Sequence, residues 1–201
     1  MMSVAPCLGR LLVCGLDVST SVTGVTLLEH DPSRPGPQLQ LLTHVELAKL
    51  DGFWEKVDAF QEFFTALELQ ARAFGGITHV FVEESLQAFR PGLSSAATLM
   101  TLAKFNGVVC AMVRAATGCT PVPLSATTAR KSCGIVIRRD VVDDAGKKVD
   151  AKHQTFQQLT ASGGPLHGTQ FPTKRGGKTV DWAYDEADSF VIARAGLLSL
   201  A

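Results

Sequence analysis

The chain has 201 residues, 46% apolar and 19% charged, the composition of a folded globular protein and not of a disordered one. Its formal net charge is zero, yet residues 1–90 carry 6 basic and 11 acidic side chains, residues 91–180 carry 12 and 4, and residues 181–201 carry 1 and 4. Such segregation lets one region hold a metal ion while its neighbour holds a polyanion.

Residues 1–10 read as a short extension, and 11–199 as a single domain. A β-branched and leucine-rich run at 11–17 ends in Asp17, and 22–29 and 39–47 read as the next two strands. Short turns between them make an antiparallel meander. Phe53, Val57, Phe60, Phe64, Leu67 and Ala71 keep a 3–4 spacing that predicts a helix over 52–73, which the glycine pair at 75–76 ends. ITHVFVE at 77–83 is a buried strand. A second helix is expected over 94–117, opened by Ser94 or Ser95, with Leu99, Leu102, Ala103, Val109 and Val113 on one face.

Residues 120–123 form a short strand, near an edge because of Pro121 and Pro123. Ser125 caps a short helix, ATTARKSCG. Residues 138–150 read as charged and turn-like, 151–160 as a helix, and 162–180 as a long basic loop rich in Gly and Pro. The last helix is expected over 184–199, with Ala187, Phe190, Val191, Ala193, Leu197 and Leu198 inward. The order β-β-β-α-β-α-β-α-α-α predicts an α/β fold whose mixed five-stranded sheet is flanked by helices, three meander strands first and parallel strands after.

Five scattered cysteines, odd in number and without C-x₂-C spacing, argue against a zinc site or a disulfide framework and suit a reducing compartment. Cys14 and Cys110 read as small buried hydrophobes. No apolar run approaches the roughly 20 residues of a membrane span, so no membrane partner is expected.

Four acids stand where a metal-dependent nuclease needs them. Asp17 and Glu83 close strand-like runs, and Asp185 and Asp188 lie one turn apart at the head of the last helix. Carboxylates at the ends of buried elements are costly to desolvate without a compensating cation. Hard oxygen ligands point to Mg²⁺, with Mn²⁺ a substitute, and two ions about 4 Å apart can serve phosphodiester hydrolysis. Asp17 would bridge the ions, and the i, i+3 spacing turns both helix acids the same way. Both acids are expected in the helix's first turn, where its dipole favours negative charge. Glu84 and Glu186 point elsewhere by strand alternation and helical rotation and are set aside. His153 and His167 read as structural.

GLDVSTSVTG, VFVEESLQAFRPGLSSAATLMTLAKFNGVVCAMVRA, PVPLSATTARKSCG, DAKHQTFQQL and DEADSFVIARA, in that order, resemble the RuvC-type Holliday junction resolvases of the RNase H-like superfamily. The resemblance spans most of 11–199 and is strongest at VEES and DEADSFVIA. It implies an RNase H-like fold, a Mg²⁺-dependent endonuclease cutting four-way DNA junctions, and metal ligation by Asp17, Glu83, Asp185 and Asp188. It assigns catalytic lysines to Lys131 and Lys152, with Arg130, Arg138, Arg139, Lys174, Arg175 and Lys178 along the nucleic-acid surface. Phe89 and Arg90 would meet an unpaired base at the branch.

Symmetric cutting of two strands matches a C₂ homodimer, for which helix 94–117 is the interface candidate. A basic insertion at 162–180, longer than the bacterial form, suggests an organellar or diverged branch, and hence a mitochondrial or other organellar location. A binding module for structured RNA, such as an organellar ribosome-assembly factor, is the competing reading. An actin-like ATPase lacks support, because the chain has one G-[IL]-D strand and no second lobe.

Overall fold

The computed structural model describes residues 9–84, 95–143 and 146–200. Three strands come first: β1 (Leu11–Asp17), β2 (Val22–His30) and β3 (Gln38–Glu46). Helix α1 (Phe53–Ala71) and strand β4 (His79–Glu83) follow, then α2 (Ala96–Thr117), β5 (Val122–Leu124), α3 (Ala126–Ser132), α4 (Ala151–Thr160) and α5 (Trp182–Leu198). They form one sheet in the order β3-β2-β1-β4-β5, in which β1–β2 and β2–β3 are antiparallel and β1–β4 and β4–β5 are parallel. This is the mixed five-stranded sheet expected.

Strand alternation divides the sheet into two faces. Leu12, Cys14 and Leu16 of β1, Val25 and Leu27 of β2, and Val80 and Val82 of β4 face α1 and α2, where they meet Val57, Phe60, Phe64, Leu67, Phe105, Val109 and Val113. Val13, Leu28 and Phe81 face α5 with Phe190, Val191 and Ile192. Each such fully buried side chain contributes about 1.5–3 kcal/mol relative to exposure. The inward stripe of α2 is Phe105, Val109 and Val113; Ala103, expected inward, is exposed because it lies on another side of the turn. Leu198 is likewise half exposed at the frayed end of α5.

By length and composition alone, α2 is apolar enough to cross a membrane, contrary to the expectation that no run approaches that length. Lys104, Asn106 and Arg114 interrupt the helix, so its mean hydropathy is high without an unbroken apolar run. Cys14 is buried as expected, but Cys110 is only partly so, its thiol donating to Asn106 Oδ1 at 3.4 Å.

Side-chain caps fix the helix starts. Ser95 accepts from the Thr98 N–H, Ser125 from Thr128, and Asp150 from His153. The two stretches expected to be irregular contain hairpins. Val142 bridges Lys148, and Thr173 bridges Thr179 across a tip in which Gly176 (φ 100°) and Gly177 (φ 80°) supply the left-handed turn. Each hairpin runs directly into a helix, the first into α4 and the second into α5.

Candidate metal centre

Asp17 continues the phase of Val13 and Gly15 on β1, and Glu83 continues that of Phe81 on β4, so both acids end their strands on the α5 face. Across the meander, Asp17 pairs with Gly24 on β2, and Gly24 with His44 on β3. Gly24 leaves the middle of this row bare. A Cβ there would collide with the main-chain carbonyl of Asp185, so the first turn of α5 lies directly on the strand. Gly15 makes the same allowance one turn along, under Ser189 and Ala193. Thr26 and Ser189 close the seam with a buried hydroxyl pair at 2.7 Å. Glycine and small residues therefore bring Asp185 and Asp188 down onto the ends of β1 and β4.

The result is a cluster. Ligand atoms of Asp17, Glu83 and Asp188 lie within 4.8 Å of one another. Asp17 is 7% exposed and Asp188 3%. Asp185 stands at the margin, joined to the others through Lys152, whose Nζ is 2.5 Å from Asp185 Oδ1, 3.2 Å from Asp17 Oδ2 and 3.5 Å from Asp188 Oδ2. Arg130 closes the other side, its Nη2 donating to Asp188 Oδ1 at 2.9 Å. Four carboxyl groups thus face two cations.

That imbalance shows in the acids. Burial raises the Asp17 carboxyl well above the usual range; Lys152 opposes the rise, and Glu83, Asp188 and Asp185 add to it. Glu83 is raised by burial and by Asp188, with Asp17, Lys152 and Arg130 opposing the rise, as expected where like charges are crowded in a buried site. Asp185 is raised by burial against the pull of Lys152. Burial by itself would lower the Lys152 ammonium, but Asp17, Asp185 and Asp188 hold it above its ordinary value. Asp188 Oδ2 is buried with no hydrogen-bond partner among the described residues, its nearest cation being Lys152 at 3.5 Å. A carboxylate oxygen so weakly satisfied among crowded acids fits a hard divalent cation.

Helix α5 begins at Trp182, two residues before the expected start, so Asp185 lies in its first turn and Asp188 in its second. The helix dipole, which fades beyond one turn, therefore favours charge on Asp185 and does little for Asp188. Glu186, set aside as a ligand, is turned away: its Oε1 accepts from His44 Nδ1 at 2.7 Å, and the His44 ring stacks on Trp182 at 4.2 Å. Glu84 continues β4, its N–H donating to the Leu124 carbonyl. His153 bonds its own helix cap, Asp150, and packs on Tyr184, while His167 reaches the Thr160 carbonyl.

Lys131, expected beside the acids, is exposed on α3 and makes no ion pair with them among the described residues; its neighbour Arg130 takes that place. One residue is 100° of helix, and α3 has only Ala129 buried to set its phase. Arg138 and Arg139 are exposed just ahead of the first hairpin, and Arg175 and Lys178 sit on the second. Lys174 is held by Asp181 at 2.6 Å. Phe89 and Arg90 lie outside the described residues. Gly24, His44 and Trp182 join the site without having been expected there. Of the three, only Gly24 carries a sequence signal, an isolated glycine inside a strand, which marks close backbone approach.

No family model and no curated protein sequence matches the chain. Solved structures do. Thermus thermophilus RuvC in complex with a Holliday junction substrate superposes with a TM-score of 0.59 at 14% identity, covering 94% of each chain. A second T. thermophilus RuvC structure gives 0.58 at 16% identity, over 94% of this chain and 95% of that one. The yeast mitochondrial Holliday junction resolvase Ydc2 gives 0.51 at 13% identity, over 96% and 80%. With its strand order and helix placement, the chain has the RNase H-like fold of the RuvC-type resolvases.

Proposed function

We propose that the chain is a divalent-metal-dependent endonuclease that cuts four-way DNA junctions symmetrically. The observation that carries this reading is the convergence of Asp17, Glu83 and Asp188, from three separate elements, within 4.8 Å, with one buried carboxylate oxygen that has no hydrogen bond among the described residues. Asp185 completes the set beyond Lys152. A module that only binds nucleic acid has no use for that arrangement, which places structured-RNA binding second. The neighbours of this fold solved as, or with, Holliday junction machinery supply the choice of substrate.

Asp17, Glu83 and Asp188, with Asp185, would hold Mg²⁺ or Mn²⁺, two ions in the fullest occupancy. Bound there, the metal would neutralise phosphate charge and acidify water. The remaining work falls to the chain's own groups. Lys152 keeps its proton at the rim of the pocket and offers a positive group to a phosphate oxygen once metal relieves it of the acids. Arg130 fixes Asp188 while its planar fork retains further donors. Arg138, Arg139, Lys174, Arg175 and Lys178 contact backbone phosphate, and Lys131 joins them as a surface contact. Such binding is independent of sequence and falls steeply with salt.

A C₂ dimer through the exposed side of α2, where Met100 is 61% exposed, would present two such pockets to opposite strands. An organellar site of action belongs to the same proposal, prompted by the yeast mitochondrial protein. The test is a labelled four-way junction with Mg²⁺, incubated with wild type, Asp17→Asn and Asp188→Asn. Paired nicks on opposite strands by wild type alone support the reading; tight binding to folded RNA with no junction cleaved would reverse it.

A further inference from the structure

The segment between α3 and α4 exposes apolar side chains on a backbone that is held fast. Val136 is 61% exposed and Ile137 37%. Beneath them, Gln154 Nε2 donates to the Arg138 carbonyl at 2.8 Å and its Oε1 accepts from the Arg138 N–H at 2.9 Å. One turn along α4, Gln158 repeats the pattern on Val136, at 2.9 and 3.0 Å. Two side-chain amides thus take the place of a neighbouring strand, and Gln154 is 5% exposed in doing so. Apolar groups displayed on a pre-set backbone mark a binding surface whose ordering cost is already met.

Residues alternate along an extended segment, so Ile135 and Ile137 share a side. Both line an open groove of ≈ 320 Å³, completed by Thr127, Arg130, Lys131 and Ala151. The groove adjoins the acid pocket. Arg130 is the common wall, being the group that holds Asp188, and Ala151 precedes Lys152 in α4. Arg130 Nε is buried with no hydrogen-bond partner among the described residues. Arg130 and Lys131 line the groove with positive charge, and the exposed Arg138 and Arg139 follow Ile137 in the chain. An apolar slot walled by cations complements a base attached to a phosphate. Its size lies at the small end of ligand sites, about 300–1,000 Å³, which suits a single base and shuts out a stacked pair.

We propose that this groove takes one unstacked nucleotide beside the cleaved phosphate, with the base against Ile135 and Ile137 and its phosphate toward Arg130 and Lys131. The inference rests on the nuclease reading above and names what that site selects: nucleic acid whose stacking is interrupted, as at a branch point. Isoleucine is one of the apolar side chains that other proteins insert at disrupted base steps.

The test uses the full chain, Ca²⁺ in place of Mg²⁺, and two probes: a four-way DNA junction with 2-aminopurine at the branch and a linear duplex of the same sequence. Ile137→Ala removes the floor and Thr127→Trp fills the slot; both positions are exposed, and thermal melts confirm folding. Wild type should prefer the junction and alter the 2-aminopurine emission. Each variant should reduce the junction-to-duplex affinity ratio by about tenfold, the worth of one base contact, and blunt the emission change. An unchanged ratio in both variants, with wild type still preferring the junction, overturns the inference and leaves the nuclease reading standing. No junction preference in wild type overturns both.

Discussion

Replacing Gly24 by alanine sets a methyl group against the first turn of α5. Its Cβ would overlap the Asp185 carbonyl group and lie 3.0 Å from the Glu186 amide nitrogen, all of it backbone and none of it a flexible side chain. Overpacking of this kind costs about 1–3 kcal/mol, and the loss of glycine's freedom in the unfolded chain returns about 0.4–1 kcal/mol. A net loss of about 1–2 kcal/mol lowers Tm by roughly 2–8 °C in a protein of this size. The functional effect should be larger, because the helix yields where it carries Asp185. A displacement of about 1 Å costs on the order of a hundredfold in a positioned reaction. Gly164→Ala is the comparison: its Cβ would press on the main-chain carbonyls of Leu159 and Gln158 at the end of α4, away from the acids. Calorimetric Mn²⁺ titration and junction cleavage should fall much further in Gly24→Ala than in Gly164→Ala at matched loss of Tm. Equal losses in the two, or an unaltered Gly24→Ala protein, would refute the reasoning.

The pH dependence of the metal-free protein follows from the acids. Asp17, Glu83 and Asp185 have raised values in the fold, so their contribution is complete below the ordinary carboxylate range, about 4, and is lost as pH rises through the raised values. With a chelator present, Tm should decline over that interval, added Mg²⁺ should reverse the decline, and Asp17→Asn should be the more stable protein near neutrality; a wild-type Tm that climbs instead would contradict this. Lys152→Met leaves three carboxylates without their common cation. Because 44% of the side chain is exposed, the loss should be about 1–2 kcal/mol, well short of a fully buried pair, and urea unfolding with and without Mg²⁺ measures it; no loss in metal-free buffer would mean that the acids do not depend on Lys152.

The faces of the sheet were legible because strand alternation is a strict period of two. Asp17 shares the parity of Val13 and Gly15, Glu83 that of Phe81, and both therefore had to look toward the same layer. Helix α1 was equally plain, its apolar residues repeating every three or four positions over five turns. The exchange of Lys131 for Arg130 was hidden because a seven-residue helix with one buried alanine has no stripe to fix its rotation. The early start of α5 had a sequence signal in Asp181, a residue type favoured just before a helix, although its side chain makes no cap bond. Pairings such as His44 with Glu186, 142 residues apart, and the glutamine brace under Val136 depend on how helices settle against the sheet. Local pattern does not encode that. Gly24 lay between: an isolated strand glycine announced a close approach, without naming Asp185 as what approaches.

The central claim, that four carboxylates from β1, β4 and α5 share divalent metal, is tested most directly by crystals grown with Mn²⁺ and measured at its absorption edge. Anomalous density is expected between Asp17, Glu83 and Asp188, with the Lys152 ammonium displaced from Asp17 and Asp185 drawn inward. Density elsewhere on the surface, with Lys152 still seated among the acids at saturating Mn²⁺, would contradict it.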